Sequence, residues 1–236
     1  MQIKNQFILN RVPALNLIHF LLLILLATMS CRTLPRLEPA SPLPTPEIRR
    51  RCSIPFPDGR WQFVHSIETT MSGGKKGFVI GITDISPETE TIRCVIMTIE
   101  GLVLFDAQYD QKIVIHRGIS PFDSINFAKG LMNDIRLIFF RPDGQFIESG
   151  ISDNGAYVCR YKNNDSRIID VITNHDNTWE IRKYNKDFSL MRSVKAYPPG
   201  QESSLSQKMI PGKLELTAHG SQRYALILEL IKADTD

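Results

Sequence analysis

The residues whose types permit chemistry are few and far apart. Cys159 and His175 offer a thiol and an imidazole, the pairing in which a ring nitrogen takes the proton of a nucleophilic sulfur, and separation along the chain does not exclude it. Asp106 and Asp110 flank the end of an apolar stretch, where two carboxylates can share acid–base work, although capping of a turn is their ordinary use. His65, His116, His175 and His219 lie at no metal-binding spacing, and each is expected at the surface or at a strand edge. The chain has no Gly-x-Ser-x-Gly elbow, no His-Glu-x-x-His helix and no Ser-x-x-Lys accompanied by its partner motifs. Gly73-Gly74-Lys75 lacks both the upstream glycine and the following Ser or Thr of a phosphate loop, and reads as a turn. The expectation is a protein that is not an enzyme and needs no metal or cofactor. Trp61 and Trp179 remain as large aromatics suited to lining a ligand cavity or anchoring a core.

Cys31 is the most telling sulfur. It follows the apolar run Leu17–Ala27 and Thr28-Met29-Ser30, with Lys4 and Arg11 upstream and no acidic residue before Glu38. A dozen apolar residues fall short of the roughly twenty needed to span a bilayer, so the segment reads as an export signal. A cysteine at its end resembles a lipoprotein signal, although Thr28 and Met29 stand where such signals usually carry Leu and a small residue. The resemblance implies cleavage before Cys31 and acylation of its thiol and new amino group. Cleavage after Ser30 without acylation, which leaves a soluble periplasmic protein, and an uncleaved membrane anchor are the alternatives.

Residues 1–30 are therefore expected to be a signal peptide, 31–52 a lipidated cysteine with a tether, and 53–236 a single domain. Prolines at 35, 39, 42, 44 and 46 favour extended backbone, which at about 3.1 Å per residue reaches up to roughly 60 Å. Arg49-Arg50-Arg51 at the tether's end is expected to be solvated. Without Lys4 and Arg11, 26 basic residues face 25 acidic ones. That balance excludes an electrostatic footprint for nucleic acid. Cys52, Cys94 and Cys159 permit one disulfide, with Cys94 to Cys159 one possibility and three buried thiols another.

From Trp61 the chain reads as strand after strand: Trp61–Thr69, Gly77–Asp84, Thr91–Glu100, Leu102–Tyr109 and Lys112–Arg117. After an interruption come 145–149, 156–162, 167–173, 179–184, 190–196, 213–218 and 223–231. The interruption is an amphipathic helix, with Ser120-Pro121 at its start, Asp123 in its first turn, and Phe122, Ile125, Ala128, Met132 and Ile135 along one face. Leu214, Leu216 and Ala218 alternate with polar residues, as on a sheet with one buried face. Ile92, Cys94 and Ile96 alternate with Val95, Met97 and Ile99, so there both faces are expected to need cover. About a dozen antiparallel strands and one helix imply a mainly β, strongly curved sheet with the helix on its concave side. The hollow is then either open to an apolar ligand or filled.

The lipoprotein cysteine, proline-rich segment, strand run and the helix Phe122–Phe140 ending at Arg141-Pro142-Asp143-Gly144 resemble the lipoprotein carriers LolA and LolB, and a family of bacterial outer-membrane lipoproteins suspected of the same half-barrel. The resemblance covers most of the chain after Cys31 and rests on element order and hydrophobic pattern. It implies an open half-barrel whose concave face accepts acyl chains, anchored to the periplasmic face of the outer membrane. Arg32 after Cys31 fits that address. Trp61, Met97, Phe122, Ile125 and Met132 are the candidate ligand contacts. The nearest equivalent of the receptor's protruding loop is Met71-Ser72-Gly73-Gly74-Lys75-Lys76, which also reads as a hairpin turn. The partners expected are a membrane, reached through the N-terminal lipid, and an apolar ligand or lipoprotein cargo. The alternative is an assembly lipoprotein that uses a sheet edge and holds no internal ligand.

Overall fold

The structure is a computed structural model describing residues 33–39, 46–199, 210–220 and 223–235; the expected signal peptide and Cys31 lie outside these. After a short strand β1 (Glu38–Pro39) and a helix α1 (Pro46–Ser53), the chain makes a first meander: β2 (Trp61–Met71), β3 (Lys76–Ser86), β4 (Thr91–Met97), β5 (Val103–Asp110) and β6 (Lys112–Gly118). It crosses by α2 (Ile125–Phe139). A second meander then runs through β7 (Gln145–Ile151), β8 (Tyr157–Lys162), β9 (Ile168–Thr173), β10 (Trp179–Tyr184), β11 (Leu190–Tyr197), β12 (Lys213–Ala218) and β13 (Tyr224–Thr235). All pairs are antiparallel, in the order β1-β7-β8-β9-β10-β11-β12-β13-β2-β3-β4-β5-β6. The last strand thus returns to the first long one, Tyr224 opposite Met71 and Thr235 opposite Trp61.

This topology explains the position of α2. The chain leaves the sheet at the β6 edge and must re-enter near the opposite edge, so the connection crosses the sheet's face. A helix of 15 residues is about 22 Å long, whereas a flat sheet of a dozen strands is roughly 50 Å wide. The sheet curls around the helix. Phe127 of α2 meets Phe105 of β5 edge-to-face at 5.1 Å, and Phe139 stacks on Phe63 of β2 at 4.7 Å. The molecule is an open, mainly β half-barrel with the helix on its concave side. Phe63, Phe105, Ile181, Val194, Leu214 and Leu216 are fully enclosed there.

Helix α2 begins four residues later than the Ser120-Pro121 signal suggests. Its N-cap is Ser124, whose Oγ accepts from the Phe127 amide at 3.1 Å. Residues 120–123 form a turn in which the Phe122 amide donates to the Ile119 carbonyl. Asp123 and Phe122 therefore precede the helix. Two Ser residues compete for the cap, and the one beside the apolar periodicity wins. Ala128, Met132, Ile135 and Phe139 line the buried face, and Arg141-Pro142 stops the helix. The same helix carries Asp134 into the interior, where Tyr224 donates to it from β13 and Arg192 Nε from β11 at 3.1 Å. Burial holds this carboxyl's pKa above its ordinary range, with Tyr224 and Arg192 opposing the shift.

The two-sided burial expected at β4 occurs elsewhere. In β4 only Ile92, Cys94 and Ile96 are buried; Val95 and Met97 are half-buried, Arg93 is exposed, and Ile99 lies beyond the strand, because Thr98–Gly101 is a turn. In β9 every residue is buried. Ile169 and Val171 face the main core, while Ile172 packs on the opposite face with Ala156, Val158 and Leu37. The cover on that face is residues 35–39, within the segment read as a tether. Arg160 of β8 donates through Nη2 to the Pro35 carbonyl at 3.1 Å, and through Nε and Nη2 to Asp170 at 2.7 and 2.9 Å. It also pairs with Glu148. Gly150 lies beneath this strap, and a methyl group there would stand 2.8 Å from Leu37 Cβ.

Nor do the prolines make the last part of the expected tether extended. Pro46–Ser53 is helical, with Pro46 at the first position, where its missing N–H costs nothing. Glu47 pairs with Arg50 and Arg51, and Arg51 stacks over Tyr157 at 4.3 Å, so this arginine is not simply solvated. Cys52 forms a disulfide with Cys159 of β8, Cα to Cα 6.0 Å. The Cys94–Cys159 possibility is excluded, since Cys94 is a free thiol in β4, enclosed and raised by burial to a pKa of about 12. Nothing in the spacing of three cysteines reveals that α1 folds back onto β8.

Candidate functional site

At the C-terminal end of α2 the concave face holds an aromatic pocket of about 160 Å³. Strand β2 contributes Trp61 and Phe63, α2 contributes Phe139, and β10 contributes Trp179. The link after α1 supplies Ile54, Pro55 and Phe56, and Ile210 and Pro211 close the side before β12. The alternation of β2 sends Trp61, Phe63 and His65 to one face. Trp61 and Phe63 stack at 5.6 Å, and Phe63 in turn stacks on Phe139. The Trp61 indole nitrogen donates to the Asp58 carbonyl at 2.9 Å, so its one polar atom is satisfied at the rim while the ring faces apolar neighbours. The disulfide fixes α1 and hence the wall that Phe56 forms.

Behind the pocket, His65 lies buried beside Phe63 and Phe139, with ring centroids 6.0 and 6.4 Å away. This corrects the expectation of a surface or strand-edge position. Desolvation lowers its pKa to about 4, so it is a neutral core residue near pH 7. The rim carries an exposed ion pair, Arg141 Nη2 to Asp58 Oδ1 at 3.0 Å. The pocket's lining presents no charge to a ligand apart from Asp58. Its chemistry is that of apolar binding.

Of the five candidate contacts, only Trp61 lines this pocket. Met132 is buried under the middle of α2, Phe122 packs edge-to-face on Phe127 at 5.2 Å toward the helix's other end, Met97 is half-buried on β4, and Ile125 is exposed. Trp179, paired with Trp61 as a cavity-lining aromatic, does join it. Phe63 falls in the expected strand Trp61–Thr69 and Phe139 in the expected helix, whereas Phe56 lies outside every expected element. The signal for Phe139 was its place on the helical apolar face, but the wall at Phe56 depends on the disulfide.

The residues considered for catalysis are not assembled. Cys159 has no thiol to ionise because its sulfur bonds to Cys52, and His175 rests edge-on against Tyr157 at 5.8 Å. Asp106 pairs with Arg93 at 3.2 Å, and Asp110 terminates β5 four residues away. Among the described residues no group of three or more His, Cys, Asp or Glu side chains is placed to hold a metal, and no helix is long and apolar enough to cross a membrane. At the β2–β3 turn, Met71 is exposed and Gly73 and Gly74 adopt positive φ, with the Met71 amide donating to the Lys75 carbonyl at 2.8 Å. It is a tight hairpin.

No protein-family model matches the sequence, and neither does any curated protein. Among solved structures, the fold is similar to the crystal structure of a LolA superfamily protein from Nitrosomonas europaea, with a TM-score of 0.55 and 11% identity over 82% of this chain and 94% of that one. At that identity the likeness establishes a LolA-like fold.

Proposed function

We propose that this protein is a non-enzymatic, lipid-anchored envelope protein whose half-barrel binds an apolar ligand, such as an acyl chain of a lipid or lipoprotein. The observation that carries this reading is the pocket formed by Trp61, Phe63, Phe139 and Trp179 on the concave face of a LolA-like fold. Its size sets what it takes. Pockets for drug-sized ligands occupy about 300–1,000 Å³, whereas cavities of about 150 Å³ hold a benzene-sized molecule. The pocket at 160 Å³ accepts the end of a chain, and a longer stretch enters only if neighbouring side chains or α2 give way. Acylation at Cys31 supplies the anchor, and the outer membrane's periplasmic face is the proposed address.

Residues 33–236, which contain every described element, are the material for the test. Native mass spectrometry is expected to show co-purified lipid, and a fluorescent fatty acid is expected to bind and be displaced by palmitate. Ile54→Trp fills the pocket from its rim and is expected to weaken uptake by about tenfold, the equivalent of 1.4 kcal/mol. A wild-type protein that takes up neither lipid nor probe removes the carrier reading and leaves the assembly role. Palmitate labelling of the full chain, lost in Cys31→Ser, tests the anchor separately.

A further inference from the structure

A second cleft, of about 80 Å³, lies on the other flank of the helix's C-terminus, between α2, the 140–143 turn and strands β9 and β10. Its charged lining is Arg136, Arg141, Lys183 and Asp143, of which Arg141 is also held by Asp58 outside the cleft. Arg136 is the central group. Its side chain is 18% exposed, yet its carboxylate partners Glu90 and Asp143 are 61% and 72% exposed and sit 3.3 Å from Nη2. The guanidinium lies over the Phe140 and Tyr109 rings at 5.3 and 5.6 Å, and its Nη1 is buried without a hydrogen-bond partner among the described residues. A buried guanidinium nitrogen left unmatched costs stability unless something fills the position.

Lys183 is a second cation of the lining. Its side chain forms no hydrogen bond or ion pair among the described residues. Burial, then Arg167, lowers its pKa, while Asp134 and Asp143 oppose the shift. The α2 C-terminus favours a cation at Arg136 but supplies no acceptor for Nη1. The cleft's volume is several times the roughly 10–15 Å³ that one water needs. Planar guanidinium and ammonium groups converging on such a space match an oxyanion.

We infer that the cleft lined by Arg136, Lys183 and Arg141 is a binding site for a phosphate or carboxylate group. The oxyanion accepts from Arg136 Nη1 and from the Lys183 ammonium, and the exposed Asp143 swings into solvent. The site is separate from the aromatic pocket and stands whether or not that pocket takes a ligand. The group is either a free ion or the head of an amphiphile.

The test uses the full chain in dodecyl maltoside, a neutral amphiphile, titrated calorimetrically with inorganic phosphate and with dodecyl phosphate. Saturable binding is expected, weakened at least about tenfold in both Arg136→Gln and Lys183→Gln, the loss expected for a charge-assisted hydrogen bond. Circular dichroism reports whether each variant keeps its fold, and the two substitutions lie on different elements. Dodecyl phosphate binding more than tenfold tighter than inorganic phosphate assigns the site to a headgroup; equal affinities assign it to the free ion. The inference is overturned if neither anion saturates the wild type, or if both folded variants bind as well as it does.

Discussion

The two halves of the half-barrel are built from similar hairpins but are finished differently. In the first meander, one face of β4 is buried and the other is wet, and the cross-strand pair Arg93–Asp106 sits on the surface with Arg93 53% exposed. In the second, β9 is covered on both faces, and the cross-strand pair Arg160–Asp170 is 5% and 1% exposed. The same residue types, diagonal across β4 and β5 in one case and directly opposite across β8 and β9 in the other, have different energetic standing. What differs is the cover: residues 35–39 lie over the second meander, and the disulfide from α1 joins its inner face. The first meander ends at β6, an edge that carries Lys112 and Arg117 with an irregularity beside it, features that discourage further pairing.

Breaking the second meander's cover is expected to cost most. Removing the disulfide by Cys52→Ala with Cys159→Ala frees a loop closed by residues 107 apart, for which chain entropy gives about 4–5 kcal/mol. Urea unfolding without reductant measures it, and reductant is expected to destabilise the wild type while leaving the double variant unchanged. Asp170→Ala removes the buried carboxylate from Arg160, leaving it Glu148 and the Pro35 carbonyl, and is expected to cost about 3 kcal/mol in the same assay. A cost below 1 kcal/mol there would contradict a buried strap.

A pH experiment probes the shared core. His65 has a folded pKa of about 4 against 6.5 unfolded, so between those values the unfolded chain binds more protons. Stability is complete above pH 6.5 and falls as pH drops toward 4, by about 3 kcal/mol. Asp134, whose folded pKa is raised, opposes this trend at the acid end of the window. His65→Leu is therefore compared with wild type at pH 7 and pH 4.5, and is expected to lose less stability across that interval. The smallest effect belongs to the first meander: Asp106→Ala, breaking an exposed pair, is expected to change stability by at most about 1 kcal/mol. A larger loss would erase the contrast with Asp170.

Much of the sheet was legible because its strands alternate. Leu214, Leu216 and Ala218 face inward as their spacing indicates, and a helix between two strand runs leads to a half-barrel once the runs are long. The β4 misreading has a simple source: Val95 and Met97 are apolar, but apolar side chains are also common on wet faces. The cover over β9 was illegible because proline-rich sequence reports backbone preference and says nothing of a distant Arg160 that donates to the Pro35 carbonyl. Trp61 and Trp179 were legible as aromatics with a cavity role, whereas the disulfide that completes their pocket depends on a contact between residues 107 apart. Arg136 carried no signal at all, since its significance lies in an unmatched nitrogen.

The strap changes how any N-terminal anchor holds the body. Pro35 is bonded to Arg160, four residues after Cys31, which allows at most about 14 Å of chain where an extended tether would allow about 60 Å. If Cys31 carries the proposed acyl chains, so short a span keeps the half-barrel beside the bilayer instead of floating above it.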